Sequence, residues 1–428
     1  MKWICVLHLY QPPFQKPRIF NQIVNECYLP LTQMLLKRKP DFSMYCNVNQ
    51  SLLDQLKQGN TMVLSNITQL LSQKRLRLTL TPSYHPIIPI IPKHVVIQQI
   101  TNNQFAMKKQ FKFSNYDLFF PPELAFDPAD DVGLAKELAI LLSQDALKSE
   151  KYTPFVTYKQ RKFVIRHNDL SNMIMGGQVK SFKNINLNLM ANNSDYLVTA
   201  VDGETFGHHR KGYVEVLDNL LNEVETCYVP TDNYIKVPDL VASSWSSVQG
   251  QPPFILWKDK KNKIHKLLWK FSRLVQRSVK TKQDKVNYFK SLSSCTFWWA
   301  SANPWWSIEM IESGAWQMYL SVCQNKELRS VAYKLYTEII SLAFKWQREG
   351  IIDKKFEHQL TKQVPFSKRC KQDEFEYYIL KFKKAEKQAL LDKNYELAIR
   401  WRDAVIKLEN NIDQFDDWHV VDQLKGYK

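Results

Sequence analysis

The chain has 428 residues, of which 44% are hydrophobic, and its formal net charge is +17 at pH 7. This length exceeds one small domain and suits a barrel-sized domain with a smaller one, built around a sizeable core. The basic residues are scattered and no nucleic-acid recognition motif accompanies them, so they predict a solvated surface and no nucleic-acid partner.

The first 240 residues alternate short β-type runs with amphipathic helical patterns. The predicted strands, in chain order, are Trp3–Leu9, Ser43–Val48, Leu76–Leu80, Leu118–Phe120, Phe163–Ile165 and Tyr196–Val201. The predicted helices between them include Ile23–Leu36, Leu52–Leu56 and Thr61–Leu71. This alternation predicts a parallel sheet with right-handed crossovers. No glycine-rich phosphate turn follows the first strand, which favours a closed barrel over an open doubly wound sheet.

From about Trp257 the strand pattern ends and helical spacing takes over. The predicted helices there are Lys263–Val279, Glu309–Cys323, Glu327–Arg348, Asp373–Asp392 and Tyr395–Asn410. We therefore predict a β/α barrel over 1–255, an α-helical domain over 256–370 that completes its cleft, and a C-terminal helical hairpin over 371–428.

Compartment is predicted from cysteine usage and hydropathy. The seven cysteines are dispersed and lack metal-binding or redox spacing, which favours a reducing compartment. The N-terminal residues do not form a signal peptide, and no apolar run reaches the roughly 18 residues of a membrane-spanning helix. We expect a cytoplasmic protein with no membrane contact.

Polar side chains follow the ends of five predicted strands. In chain order they are His8 with Gln11, Asn47 with Asn49, Tyr84 with His85, Glu123, and Asp202. Parallel β/α folds carry their sites at these strand ends. Gly203 is expected to permit a sharp turn after Asp202. Two carboxyls at one barrel mouth predict cleavage of a glycosidic bond.

Four segments resemble, in this order, the motifs of glycoside hydrolase family 57, the α-glucan-active family of amylases, glucanotransferases and branching enzymes. They are His8–Pro12, Thr81–Pro89, Pro122–Ala125 and Asp202–His208. The resemblance extends from Trp3 to Ser307. It implies an α/β fold with an incomplete (β/α)7 barrel followed by an α-helical C-terminal domain. Because the long inserts of larger members are absent, it favours an amylase-like form over a branching enzyme.

The resemblance also assigns roles. It implies a retaining α-glycosidase of α-1,4-glucans or maltooligosaccharides, a hydrolase or a glucanotransferase, with Glu123 as nucleophile and Asp202 as acid/base. Such an enzyme needs its carboxyls about 5–5.5 Å apart, with the nucleophile ionised and the other acid protonated near neutral pH. Glu204 lies two residues beyond Asp202, past a glycine, and is expected to support the site or cap a helix rather than to act as a catalytic acid. No metal and no cofactor is expected.

Ten further side chains are predicted to bind substrate. They are His8, Gln11, Tyr84, His85, Arg166, His208, His209, Trp245, Trp298 and Trp299. Arg166 is predicted to pair with one of the two acids, with a surface position as the alternative. One or two tryptophans of the segment Trp298–Trp306 are expected to stack on sugar, and the others to pack between the barrel and the helices.

Three positions depart from the family pattern. Tyr10 replaces a usual His, Arg77 a usual Glu and Phe120 a usual Trp. These departures leave open a catalytically weak or inactive glucan-binding or regulatory protein on the same scaffold. The residues also leave open a nucleic-acid or protein scaffold that uses the basic surface and the C-terminal hairpin. A metal-dependent deacetylase stays open as well, and it would need two His and an Asp around one ion.

The segment Asn394–Glu409 resembles a second known element. It is similar to part of the UVR motif, the short helical hairpin of nucleotide-excision repair proteins. This resemblance implies a protein partner for the C-terminal hairpin, although helical packing alone can produce the same spacing.

Overall fold

The computed structural model describes residues 1–39, 42–129, 133–149, 151–192, 194–247, 251–302, 305–352, 366–369, 372–410 and 413. The chain divides into two compact units. The first comprises Met1–Ser301 and Trp305–Ala343, and the second comprises Ala302–Pro304 and Phe344–Lys428. The boundary predicted between residues 370 and 371 lies outside the described residues.

Parallel strands build a barrel in the first unit. The strands are β1 (Lys2–Leu9), β2 (Met44–Val48), β3 (Leu76–Leu78), β4 (Leu118–Phe119), β5 (Ala139–Ser143), β6 (Phe155–Tyr158), β7 (Arg161–Arg166), β8 (Tyr196–Asp202), β9 (Glu225–Thr226) and β10 (Ile235–Lys236). One sheet has the order β3-β2-β1-β8, with β9 beside β1, and the other has the order β10-β6-β7-β5-β4. A parallel bridge between Leu80 and Phe119 joins β3 to β4. The order β8-β1-β2-β3-β4-β5-β7 is parallel throughout, which confirms the predicted parallel barrel.

The barrel is incomplete between β7 and β8. In place of a ladder, the His167 N–H donates to the Val198 carbonyl at 2.8 Å. The Tyr152 hydroxyl accepts from the Val198 N–H at 3.0 Å and donates to the Ile165 carbonyl at 3.2 Å. A phenol thus satisfies backbone groups that a neighbouring strand would otherwise pair. This arrangement agrees with the incomplete (β/α)7 barrel implied by the family resemblance.

The strands form because they are almost continuously apolar. β1 is buried at seven of its eight positions, as expected for a parallel strand covered on both faces. The barrel core includes Ile4, Val6, Leu141 and Val198, all fully buried. The strand backbone is thereby held rigidly, and its polar ends are carried to one rim.

Helices surround and follow these strands. They are α1 (Pro17–Ile23), α2 (Leu29–Lys37), α3 (Gln50–Leu56), α4 (Thr61–Ser72), α5 (Lys93–Phe111), α6 (Asn168–Met175), α7 (Leu187–Met190), α8 (Tyr213–Glu223), α9 (Lys263–Ser278), α10 (Lys282–Ser291), α11 (Ser294–Trp298), α12 (Ile308–Leu320), α13 (Lys326–Arg348), α14 (Phe366–Arg369), α15 (Gln372–Leu391) and α16 (Tyr395–Glu409). The prediction of one helix over Ile23–Leu36 was wrong in detail. Pro17 starts α1 earlier, and a π-helical turn over Val24–Tyr28 separates α1 from α2. Among the described residues, no helix is long and apolar enough to cross a membrane.

The second unit contains the predicted hairpin of α15 and α16. The two helices meet at Asp392–Asn394, as predicted, and pack through Phe382, Ala404 and Leu408. The Phe382 and Trp401 rings lie 5.0 Å apart between centroids. The apolar helical spacing of this segment is therefore explained by packing within the hairpin.

Candidate active site

The carboxyl ends of three neighbouring strands bring the first site residues together. On β1, His8 is the register partner of Asn47 on β2 and of Asp202 on β8. The His8 Nδ1 lies 2.7 Å from the Asn47 Oδ1, and the Asn47 amide donates to Thr79 Oγ1 at 2.7 Å. Register in the sheet thus places a histidine beside a predicted catalytic acid.

Glu123 is held in an unusual backbone conformation just after β4. Its φ is +57°, a left-handed value that is uncommon outside glycine. The Trp245 N–H donates to the Glu123 carbonyl at 3.0 Å, and the Trp245 Nε1–H donates to Glu123 Oε2 at 2.7 Å. The Ser294 hydroxyl donates to Oε1 at 3.4 Å, and His85 Nδ1 lies 3.8 Å from the same oxygen. These contacts hold a strained residue in one orientation, as is common at functional sites.

Burial raises the pKa of both predicted acids. Desolvation raises the pKa of Glu123 to about 7, and the charge of Asp202 adds to the effect. Desolvation raises the pKa of Asp202 to about 6, while Arg166 acts in the opposite direction. The two carboxyls interact electrostatically and titrate as a pair, so near pH 6–7 they share about one proton.

Burial raises the two pKa values by similar amounts, and most of the difference between them is the ordinary difference between Glu, at 4.5, and Asp, at 3.8. Hydrogen bonding distinguishes the two carboxyls and favours the assigned roles. Trp245 and Ser294 both donate to the Glu123 carboxylate and stabilise its charged form, whereas no hydrogen bond reaches the Asp202 carboxylate among the described residues.

Stacked rings line the site beside Glu123. The His8 ring stacks on Phe120 at 4.9 Å and on His85 at 4.9 Å, and Tyr10 stacks on His85 at 4.1 Å. Burial lowers the pKa of His8 to about 4 and that of His85 well below its usual value, so both imidazoles are neutral near pH 7. Two of the three departures from the family pattern, Tyr10 and Phe120, are therefore part of this stack. The third, Arg77, forms an ion pair with Asp117 elsewhere.

Arg166 is buried, with 1% of its surface exposed, which excludes the surface alternative. Its guanidinium donates to the Ala200 carbonyl at 2.9 Å and to the side-chain amides of Asn168 and Asn172 at 3.0 and 2.8 Å. The predicted direct pairing with a catalytic acid is also corrected, because no ion pair with either acid occurs in the described part of the chain. Its charge acts on Asp202 through space.

Gln11 and Glu204 form a buried network behind Asp202. The Gln11 amide donates to Glu204 Oε1 at 2.8 Å, and the Tyr28 hydroxyl donates to the same oxygen. Burial and the charge of Asp202 raise the pKa of Glu204 to about 7. Gln11 therefore has protein partners for its amide group.

Glycine is required after β8 for space rather than for a left-handed turn. A Cβ on Gly203 would lie 2.1 Å from Leu9 Cδ2 and 3.3 Å from the His8 carbonyl oxygen. The expected sharp turn is present as a 3-10 turn over Gly203–Thr205, but glycine serves it through close approach to β1, since a side chain here would have to displace the buried Leu9 side chain.

Five predicted substrate-binding residues lie apart from the two acids. Tyr84 donates to Asp54 at 3.3 Å, and His208 Nδ1 lies 2.6 Å from Glu26 Oε2, beside His209, which is exposed. The other two, Trp298 and Trp299, pack in a tryptophan cluster with Trp257 and Trp305. Within the described ranges, none of the five contacts Glu123 or Asp202 by hydrogen bond, ion pair or ring stacking.

Ser294 is a site residue that sequence reasoning missed. It begins α11, outside the barrel strands, and no motif of the sequence marks a serine that reaches a distant carboxylate. In the described part of the chain, no group of three or more His, Cys, Asp or Glu side chains could hold a metal ion.

An incomplete parallel β/α barrel with two largely buried carboxyls at its mouth is an arrangement that suits a two-carboxylate glycosidase. The sequence model of glycosyl hydrolase family 57 matches residues 8–231, more than half of the chain. The chain therefore belongs to glycosyl hydrolase family 57.

Solved structures share this fold at low sequence identity. A 4-α-glucanotransferase from Thermococcus litoralis is 15% identical with a TM-score of 0.60, over 76% of this chain and 60% of that one. A branching enzyme of the same family from Thermococcus kodakaraensis is 12% identical with a TM-score of 0.60, over 79% and 93%. An exo-type maltose-forming amylase from Pyrococcus sp. ST04 is 12% identical with a TM-score of 0.56, over 81% and 84%. The chain thus spans 60% of the length of the glucanotransferase. No curated protein sequence matched the chain.

Proposed function

We propose that the protein is a retaining α-glycosidase of α-1,4-glucans, a hydrolase or a glucanotransferase, with Glu123 as nucleophile and Asp202 as acid/base. The observation that carries the proposal is the pair of interacting, largely buried carboxyls at the ends of β4 and β8, with pKa values raised to about 7 and about 6. Two carboxyls that share about one proton near neutral pH provide the ionised nucleophile and the protonated acid that a retaining glycosidase needs.

The chemistry proceeds in two displacements. The Glu123 carboxylate attacks the anomeric carbon and forms an ester bond to it, while the glycosidic C–O bond breaks and the leaving oxygen takes the proton of Asp202. The Asp202 carboxylate then removes a proton from water or from a sugar hydroxyl. That oxygen attacks the anomeric carbon, the ester bond breaks and Glu123 regains its charge. Two inversions preserve the α configuration.

The surroundings of the acids support this assignment. Trp245 and Ser294 orient the Glu123 carboxylate for attack. Tyr10 ends the stack that His8 and His85 form and is partly exposed, so its ring is the flat, neutral surface of the stack on which we propose that a sugar face packs. Substrate contacts of the five residues that lie apart from the acids stay predictions. These residues are Tyr84, His208, His209, Trp298 and Trp299.

The substrate class comes from the family and its structural neighbours. The names of the neighbours specify a glucanotransferase, a branching enzyme and a maltose-forming amylase. We therefore propose α-glucan as the substrate. A separation of about 5–6 Å between the carboxyl groups of Glu123 and Asp202 in a liganded crystal structure is the geometric prediction for retention.

Product analysis tests the proposal. Wild-type protein is incubated with maltooligosaccharides of defined length; shorter products alone indicate hydrolysis, and longer products indicate transfer. Glu123→Ala and Asp202→Asn should each abolish product formation, whereas Asp239→Asn, at an exposed ion pair with Lys148, is the matched control. Unchanged activity of either site variant would refute the assignment.

The alternative is a glucan-binding or regulatory protein with weak or no turnover on the same scaffold. The departures Tyr10 and Phe120, in the ring stack beside Glu123, favour it. Saturable glucan binding by wild-type protein, without products after long incubation, would replace the enzymatic proposal with this one.

For the hairpin of α15 and α16 we propose a protein contact, as the UVR-like resemblance implies. Several of its large apolar side chains are exposed, including Leu380, Leu391 and Tyr395. A pull-down with wild-type chain and with Leu380→Glu tests this proposal, and equal recovery of the same proteins by both would count against it.

A further inference from the structure

Two consecutive serines at the start of α11 are anchored to the loops after β1 and β3. The Ser294 N–H donates to the His85 carbonyl at 2.9 Å, and Ser293 forms an antiparallel bridge with Pro86. The Ser293 hydroxyl lies 2.6 Å from the Tyr10 hydroxyl. Both serines are buried. Ser294 therefore contacts His85 twice, through its main-chain N–H and through its side-chain hydroxyl.

The Ser294 hydroxyl has two polar neighbours. Its Oγ lies 2.9 Å from His85 Nδ1 and 3.4 Å from Glu123 Oε1. An ionised carboxylate can only accept, so the single hydroxyl proton is directed to Glu123. The oxygen then accepts from a protonated Nδ1.

This direction of donation determines the state of the other ring nitrogen of His85. A neutral imidazole carries one proton, and if that proton is on Nδ1, Nε2 has a free lone pair. Nε2 is buried and has no hydrogen-bond partner in the described part of the chain. Since no partner at Nε2 fixes the protonation of the ring, the contact of Nδ1 with Ser294 decides the tautomer.

We propose that Ser294 is a positioning residue that favours the ionised form of Glu123 and, while Glu123 is ionised, holds the neutral His85 ring in the tautomer protonated on Nδ1. When Glu123 loses its charge, by protonation or as the glycosyl ester, Ser294 can donate to Nδ1 and Nε2 can carry the proton. The state of Glu123 is thereby transmitted to the stacked rings of His8, His85 and Tyr10. The glycosyl ester rests on the proposed function, whereas the coupling of the three residues does not.

Few charges compete with this coupling. The titratable groups that face Glu123, directly or through its stacked neighbours, are Asp202, His85, His8, Tyr10 and Cys295. Burial keeps the two histidines, the phenol and the thiol uncharged near pH 7. Among the described residues, the charges that remain near Glu123 are those of Asp202 and of Arg166, which acts on Asp202, so removal of the Ser294 hydroxyl should act directly on Glu123.

The first test compares Ser294→Val with Ser294→Thr, which have the same shape and differ in the hydroxyl. With an aryl α-maltooligosaccharide as substrate, the acidic limb of the kcat/KM profile should move up by about 0.5–1 pH unit in Ser294→Val, because a hydrogen bond to the charged form is lost. Ser294→Thr should restore the limb. Ser293→Ala, which removes the neighbouring hydroxyl, is the matched control and should leave the limb in place. Equal limbs in the Val and Thr variants would overturn the proposal.

The second test needs no turnover. In wild-type protein, ¹⁵N NMR of His85 at a pH above the titration of Glu123 should show the proton on Nδ1, and below that pH a shift toward Nε2. In Ser294→Val the dependence on Glu123 should disappear. A wild-type ring protonated on Nε2 throughout would overturn the coupling even if every variant were active. If wild-type protein cleaves no glucan but shows the predicted tautomer change, the proposed function fails and the coupling stands.

Discussion

The surroundings of Glu123 and of Asp202 differ although both side chains are largely buried at the same barrel mouth. Glu123 is fixed by a left-handed backbone and by hydrogen bonds from Trp245 and Ser294. Asp202 follows a regular strand, and Arg166 acts on it only through space. The difference fits the roles that we propose, in which one carboxyl is aimed at a carbon atom and the other exchanges a proton. A nucleophile must reach one carbon in line, whereas an acid/base must meet two different oxygens in turn.

The largest expected effect separates the two roles. With α-maltosyl fluoride, whose leaving group needs no proton, Glu123→Ala should lose about 10⁴-fold or more in fluoride release, and Asp202→Ala far less in the first turnover. Added azide should yield the β-glycosyl azide from Glu123→Ala and the α-glycosyl azide from Asp202→Ala, as identified by NMR. The opposite pattern of azide products would exchange the two roles.

A smaller effect is expected at the hydrogen bond that aims Glu123. Trp245→Phe keeps an aromatic ring and removes the 2.7 Å bond to Oε2. Loss of a hydrogen bond to a charged group should lower kcat/KM about 10–100-fold and raise the pKa of the acidic limb. Steady-state kinetics across the acidic and alkaline limbs measure both. An unchanged limb would mean that Trp245 does not stabilise the carboxylate.

Arg166 allows the same comparison from the side of Asp202. In Arg166→Met the positive charge that lowers the pKa of Asp202 is absent, so that pKa should rise from about 6. The acid form then persists to higher pH, and the alkaline limb of kcat/KM should shift upward by about 1 unit or less. The same variant leaves the Asn168 and Asn172 amides without their donor, so circular dichroism must first establish that it is folded.

The last effect concerns stability rather than activity. The pKa of Glu123 rises from 4.5 to about 7 on folding, so the folded protein binds this proton more tightly than the unfolded chain. The free energy of unfolding therefore falls as the pH rises from about 4.5 through 7. Glu123→Gln should consequently be more stable than wild type by about 1–3 kcal/mol at about pH 8, and much less so at about pH 4.5. Thermal melts at the two pH values measure the difference.

Glu26 is the control of opposite sign for that experiment. A hydrogen bond from His208 lowers the pKa of Glu26, so its contribution to stability is present near neutral pH and is lost as the pH falls. Glu26→Gln should therefore lower the melting temperature at the higher of the two pH values. Equal shifts in both variants would show that the melts do not report on these carboxyls.

The fold was largely predictable because its strands are apolar and short. Each predicted strand of the first 240 residues has an observed counterpart, from β1 to β8. The helix α5 (Lys93–Phe111) was not predicted, because Gln99 and Asn103 on its buried face interrupt the apolar spacing. Both side chains accept hydrogen bonds from main-chain N–H groups. The strand β5 (Ala139–Ser143) was not predicted, because the short apolar run Leu138–Leu142 has no period that distinguishes a strand from a buried helix.

The amino-acid sequence by itself determined the barrel class, the family and the two acids at strand ends, because apolar runs and motif order are local properties of the chain. Only the tertiary structure decided which side chains meet those acids. Ser294 lies 171 residues from Glu123 along the chain, and Trp245 lies 122 residues away. It also placed Glu204 in hydrogen bonds with Gln11 and Tyr28, and Arg166 in hydrogen bonds with a main-chain carbonyl and two asparagines. Hydrogen-bond partners and desolvation depend on distances in space, and no spacing along a sequence specifies them.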